Sequence, residues 1–215
     1  RWAVDGTVLS PEEFAGRLLS IKEPAGMLLQ PRLRSHPSLA PFGGALGLCS
    51  VRINTALLQD GPVLMFQFLK LLGAANITDN FRGGSTGNLL ADVDEQRGTI
   101  RSVYRLAPGR RLLLERVSHH PVTGAPLGGE RLPLWQEALD LALKAAAVTP
   151  ECPLPGADIA LTEDGPRILE INAAWDGTYA ELTKGVGIKR ILRPLWPELA
   201  CDPAAKQRAA KLLEL

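Results

Sequence analysis

Apolar and polar positions along this chain sort into blocks of different period. Ser10-Pro11-Glu12-Glu13 opens the first. Ser10 stands at an N-cap, Pro11 at the first helical position and Glu13 where a capping box needs it, so a helix is predicted to about Ser20. Met27 to Leu33 (MLLQPRL) reads as a short apolar strand. Two longer strand-like runs follow, Leu48 to Leu58 and Val63 to Leu72, with Gln59-Asp60-Gly61 between them as a hairpin turn. Residues 74–88 are polar and Gly-rich and read as a loop. Strand patterns return at Leu89 to Asp94 and Thr99 to Tyr104, around an EQRG turn. Residues 106–131 are rich in Pro, Gly and Arg and show no clear period. Pro133 to Val148 is a strong helical pattern with an Ala/Leu face, and residues 156–172 read as a hairpin. Ile188 to Leu199 and Pro203 to Leu215 read as terminal helices, interrupted at Pro194 and Pro197.

Strand clusters flanked by helices predict an α+β domain with a mainly antiparallel sheet. The regular strand–helix alternation of a Rossmann-type fold is missing. Composition narrows the picture. The chain has 215 residues and a formal net charge of +1, with no basic run and few aromatics, so no nucleic-acid partner is expected. The longest apolar stretch is broken by Gln67 and Lys70, and no membrane span is expected. RWAVDG at the start is not a signal peptide. Cys49, Cys152 and Cys201 are far apart and odd in number, which reads as reduced thiols in a cytoplasmic protein.

The densest candidate chemistry lies in GADIALTEDGPRILEIN, residues 156–172. With a three-residue loop Glu163-Asp164-Gly165, Thr162 faces Pro166 and Asp158 faces Glu170. Asn172, two residues beyond Glu170, shares that face, while Leu169 and Ile171 point into a core. Like charges opposed across strands are destabilising unless something bridges them. Two carboxylates and an amide oxygen form a hard donor set suited to Mg2+. The same spacing also fits a solvated sheet face carrying unrelated charges. Arg52, mid-strand in an apolar run, needs an anion, either a phosphate or a salt-bridge partner. Lys70 ends its strand and either reaches that anion or snorkels to water.

The hairpin and the following AAWDGTYAELTKGVGI resemble the metal-binding end of ATP-grasp ligases. Other segments agree in order: SVRINT (Ser50 to Thr55), VLMFQFLK (Val63 to Lys70), TDNFRGG (Thr78 to Gly84) and the hinge-like LLQPRLRSHPSL (Leu28 to Leu39). HPVTG (His120 to Gly124) and the P-x-W at Pro133 to Trp135 are similar to the sugar-transfer-associated branch, related to α-L-glutamate ligases. The likeness runs over residues 26–190. It implies an ATP-grasp fold and an ATP- and Mg-dependent ligase that joins a small-molecule carboxylate to an amine or thiol through an acyl phosphate. One or two Mg2+ ions, with Mn2+ as an alternative, would be held by Asp158, Glu170 and Asn172. Arg52, Lys70 and Arg82 would stabilise charge on the transferred phosphoryl group. Gln30, Asn80, Gly83 and Gly84 would line the nucleotide.

The resemblance has gaps. The phosphate-binding Lys and Gly-rich loop that precede the hinge strand in relatives have no counterpart here; Lys22, in SIKEP, is misplaced for the role. Ala157 stands before the metal Asp where relatives carry a larger residue. The chain is therefore expected to be the C-terminal part of a longer protein. Residues 1–25 would be a remnant of the preceding subdomain, 26–190 the C-terminal ATP-grasp subdomain and 191–215 terminal helices. Two other readings stay open, a degenerate nucleotide-binding module without catalysis and a metal-dependent hydrolase. Self-association into a homo-oligomer is compatible with all of them. Asp79 reads as a turn former, His119 and His120 as loop residues or catalysts, and Asp176, Glu181 and Lys184 as local surface or capping groups.

Overall fold

A computed structural model describes residues 2–4, 7–22, 30–45, 47–74, 76, 78–107, 113–199, 203 and 207. Its contacts divide into two units, Arg1–Arg32 and Leu33–Leu215. The first holds a short antiparallel pair, β1 (Trp2–Val4) and β2 (Thr7–Leu9), and helix α1 (Pro11–Ser20). The capping box forms as the sequence predicts: Glu13 N–H donates to Ser10 Oγ at 3.1 Å, and Ser10 N–H donates to Glu13 Oε2 at 2.8 Å. The apolar strand expected over Met27 to Leu33 is not observed where it can be judged. Residues 27–29 lie outside the described set, and Gln30 to Leu33 form no strand.

The second unit is built on seven antiparallel strands: β3 (Ser50–Leu58), β4 (Gly61–Leu71), β5 (Leu89–Val93), β6 (Ile100–Leu106), β7 (Leu114–Val117), β8 (Gly156–Thr162) and β9 (Gly165–Asn172). Their order across the sheet is β7-β6-β5-β4-β3-β8-β9. Helix α2 (Trp135–Ala147) covers one face; α3 (Thr178–Lys184), α4 (Ile188–Leu192) and α5 (Trp196–Leu199) follow the last strand. The α+β reading holds. The strand β7 lies in the stretch where no period was visible, and α3 was not expected at all. Pro194 separates α4 from α5, as its lack of an N–H predicts.

Alternation along the strands separates two chemistries. Val51, Ile53, Leu69, Leu71, Ala91, Val93, Val103, Ala157, Ile159 and Leu161 point to the α2 side and form an apolar core with Trp135, Ala138 and Ala142. The opposite face packs Phe66, Phe68 and Leu90 against Trp175, Ala180, Ile188 and Leu192, but it also carries the charged residues discussed below. The β8–β9 hairpin turns in Glu163-Asp164, so Thr162 pairs with Gly165 rather than Pro166. A register shift between Asp158 and Ile159 then adds one residue to β9 and restores the expected pair, Asp158 opposite Glu170. Because β9 is the edge strand, Leu169 and Ile171 remain 40% and 38% exposed instead of entering a core.

Trp135 anchors α2: it is 3% exposed, and its indole N–H donates to Glu95 O at 2.8 Å. Gly98 passes directly beneath it at φ 66°, where a Cβ would lie 2.3 Å from Trp135 Cγ. Left-handed backbone costs a non-glycine residue about 1–2 kcal/mol and overpacking about 1–3 kcal/mol more. Gly98→Ala is therefore expected to lower unfolding free energy by about 2–5 kcal/mol in a urea titration.

Candidate functional site

The polar face of the sheet is assembled from neighbouring strands. β3 presents Ser50, Arg52 and Asn54 at two-residue spacing, β4 presents Lys70, β8 Asp158, and β9 Glu170 and Asn172. Pairing puts Arg52 level with Asp158, and Asp158 level with Glu170. Arg52 Nε and Nη2 donate to Asp158 Oδ1 and Oδ2 at 2.6 and 2.7 Å, a forked charge-assisted pair. Lys70 Nζ lies 3.1 Å from Asp158 Oδ2 and 3.3 Å from Asp79 Oδ1. Ser50 Oγ donates to the other oxygen of Asp79. Arg52 Nη2 approaches Glu170 Oε1 at 4.0 Å, and Asn172 Nδ2 donates to the same oxygen at 3.0 Å.

Two cations thus face three carboxylates, with Asp158, Asp79 and Lys70 all buried. Burial alone would raise the Asp158 carboxyl, but Arg52 and Lys70 outweigh it and hold it below the usual carboxylate range. Asp79 goes the other way. Burial pushes it up, and Lys70 and Ser50 do not fully compensate.

Two clefts open on either side of this cluster. One, about 220 Å³, is lined by Leu48, Thr78, Asp79, Asp158, Leu169 and Glu170. The other, also about 220 Å³, is lined by Arg52, Asn54, Phe68, Phe81, Arg82, Asp176 and Tyr179. Lys70 and Asn80 border both. A larger apolar cleft over Lys189, Leu192, Arg193, Trp196 and Pro197 shares no residue with either and carries none of this chemistry.

Arg52, Lys70, Asp158, Glu170 and Asn172 therefore lie together on one face of the sheet. Asn80 and Arg82 line the clefts from the loop after β4. Arg82 is held at φ 45°, an unfavourable backbone for a side chain of its size. Gly83 N–H donates to the Tyr179 hydroxyl at 3.0 Å. Gly84 (φ 88°) packs so closely on β6 that a Cβ would lie 2.1 Å from Leu106 Cβ. Gln30 is exposed and belongs to the first unit.

Other residues take roles the sequence did not announce. Asp79, read as a turn former, is instead a buried member of the ion cluster. Asn88 is fully buried and organises the loop: its Nδ2 donates to the carbonyls of Thr78 and Asn80, each at 2.9 Å, and its Oδ1 accepts from Gly73 N–H and Asn76 Nδ2. Lys184, read as a surface group, is largely buried and donates to Asp92 Oδ1 at 2.6 Å, tying α3 to β5. Asp176 does cap: its Oδ1 accepts from Thr178 N–H and Oγ. His120 is a structural latch. One ring nitrogen bonds Leu72 O at 2.8 Å, the other accepts from Val122 and Thr123 N–H, and burial lowers its pKa. Cys49 is buried, and burial pushes its thiol up to about 12, so it offers no thiolate nucleophile. No cluster of three or more His, Cys, Asp or Glu side chains suited to a metal occurs among the described residues. No helix among them is long and apolar enough to cross a membrane.

A protein-family model described as sugar-transfer associated ATP-grasp matches residues 13–195. Comparison with curated proteins and with solved structures finds no match.

Two outcomes are expected. Asn88→Ala strips the loop's carbonyls of their donors and should cost about 1–3 kcal/mol in denaturant, with faster amide exchange across residues 76–88. The second concerns pH. Asp79 binds its proton more tightly when folded, so its contribution to stability is present at low pH and is lost as pH rises through its raised folded pKa. Asp79→Asn lacks that loss. The stability difference, variant minus wild type, should grow as pH climbs from the ordinary carboxylate range toward neutrality. A flat difference in urea titrations across that window would show that Asp79 is not strained by burial.

Proposed function

The chain belongs to the sugar-transfer associated ATP-grasp family, and from that membership we propose that its charged sheet face is the metal- and phosphate-facing part of an ATP-dependent carboxylate–amine (or thiol) ligase working through an acyl phosphate. The observation that carries this reading is the register pairing Asp158 with both Arg52 and Glu170. Carboxylates and cations thus sit level on adjacent strands, which supports reading the former as metal ligands and the latter as phosphoryl contacts.

The donor set fits Mg2+ in chemistry. Asp158 and Glu170 oppose each other across the strands, and Asn172 adds an amide beside Glu170. Only two carboxylates are offered, so water and phosphate oxygens would complete the shell, as Mg2+ prefers; Mn2+ suits the same donors. Once bound, the ion supplies neutralisation of phosphate charge. The side chains do the rest. Asp158 fixes the orientation of Arg52 through two hydrogen bonds, leaving the remainder of its fork to meet a developing anion. Lys70 borders both clefts, so a phosphoryl group moving from the acidic cleft to a carboxylate in the other would pass beside its ammonium. Small-molecule carboxylate and amine substrates are part of the same proposal, taken from the ligase reading of the family. The saturation of Asp158 by Arg52 and Lys70 favours one second reading, a nucleotide-binding module without turnover.

Glu170 discriminates. Its side chain is 61% exposed, so Glu170→Gln should leave melting temperature nearly unchanged. In the full-length protein, Mg2+ is expected to tighten ATP binding, and this variant to lose about tenfold or more of that gain by calorimetry. ATP binding indifferent to both Mg2+ and the substitution would sink the metal assignment. Tight binding with no ADP release on any carboxylate–amine pair would favour the module.

A further inference from the structure

Asn54 is the one side chain among the described residues whose fully enclosed polar atoms find no partner: it is 1% exposed, and both Nδ2 and Oδ1 are unbonded. A buried amide in that state is expensive, because each unmet group loses its water without replacement. The sheet nevertheless makes room for it. β3 pairs Asn54 with Gly156 on one side and Phe66 on the other, and the β3–β4 register shifts immediately after it. Bulges of this kind re-aim side chains. At Gly156 a Cβ would lie 2.8 Å from Asn54 Nδ2, so the absence of a side chain there leaves the amide its space.

The amide lines the second cleft, beside Arg52, Arg82, Asp176 and Tyr179. The aromatic wall is closely packed. Tyr179 meets Phe68 and Phe81 edge-on at 6.2 and 5.4 Å, and its hydroxyl is held by Gly83 N–H. Arg52 and Lys70 are already paired with carboxylates, whereas Arg82 is exposed on a left-handed backbone at the cleft. Beside the paired Arg52 and Lys70, the cleft therefore presents one unsatisfied donor–acceptor amide and one cation with no carboxylate partner among the described residues, in a volume of about 220 Å³, room for a small polar molecule.

We propose that Asn54 is a specificity-determining residue for a small carboxylate that carries a hydroxyl or carboxamide group near its carboxylate. Arg82 takes the carboxylate, and Asn54 exchanges hydrogen bonds with the neighbouring group. An amide both donates and accepts, and its complement is a group that does both, which a plain alkyl acid lacks. A site built to bond such a group rejects the analogue without it, because the buried amide stays unpaired. This assignment rests on reading the second cleft as the substrate side of the ligase.

The test uses the full-length protein and two probes of equal carbon count, glycerate and propionate, with binding followed by ligand-observed NMR without nucleotide. Glycerate should bind tighter than propionate by about tenfold or more. Asn54→Leu, near in volume, should abolish that preference while melting at an unchanged or higher temperature, since it removes an unmet amide. Arg82→Gln, at an exposed position, should weaken both probes and keep their ratio. Equal binding of the two probes by wild type, no binding of either, a preference surviving in Asn54→Leu, or a lowered melting temperature of that variant each overturns the proposal. Because no nucleotide is present, failure of the ligase reading shows separately, as ATP binding without turnover or no ATP binding at all.

Discussion

The forked pair between Arg52 and Asp158 is the constraint on which the polar half of this molecule depends. It joins the neighbouring strands β3 and β8 through side chains as well as backbone. Neither group tolerates burial alone: desolvating an isolated charge costs several kcal/mol, and the geometry of the fork is what returns it. Lys70 extends the pair toward Asp79, and Asp79 toward Ser50. The result is a chain of charge running across β8, β3 and β4 into the loop after β4. Its net sign is negative by one if Glu170 is counted. Such a cluster accepts a cation more readily than an anion on its acidic side, and an anion on the side where Arg82 stands.

This arrangement needs the other face of the sheet to carry the stability. The α2 side is built from Val, Ile, Leu and Ala on alternate positions of the central strands, sealed by Trp135. Because side chains alternate, every apolar residue placed there leaves its neighbour for the polar face. β3 makes this concrete: Val51 and Ile53 are core, while Ser50, Arg52 and Asn54 are site. The fold thus separates its own stabilisation from the residues that are costly to keep.

Alternation is also what made the site legible. Arg52 stood out as a charge in an apolar run, and the Asp158–Glu170 pairing followed from hairpin geometry. That pairing was right for partly wrong reasons. The assumed three-residue loop is a two-residue turn, and a one-residue bulge restores the offset. What could not be read depends on contacts distant in sequence. Asp79 becomes a buried carboxylate because β4 delivers Lys70 beside it, and Lys184 is buried because α3 folds back onto Asp92. Asn88 looked like one more polar residue in a Gly-rich loop, yet it is the residue that gives the loop a shape. β7, at the sheet edge in Pro- and Gly-rich sequence, has too few buried positions to leave a period. Asn54 did leave a signal: it interrupts the same apolar run as Arg52, two residues on.

The two interruptions have opposite energetics, and that difference sorts their roles. Arg52 is matched within the protein; its partner comes with the fold, so its presence explains itself without a ligand. Asn54 is not matched among the described residues: both of its fully enclosed polar atoms lack a partner. A glycine opposite and a bulge beside it hold open the space that the unmet amide occupies. Packing alone would be better served there by leucine, since an apolar side chain of similar volume leaves no donor or acceptor stranded. The imbalance disappears only when a molecule with its own donor and acceptor enters the cleft. On that reasoning the uncompensated amide of Asn54 marks the second cleft as the place for such a molecule, bordered by the same Lys70 that faces the acidic cleft.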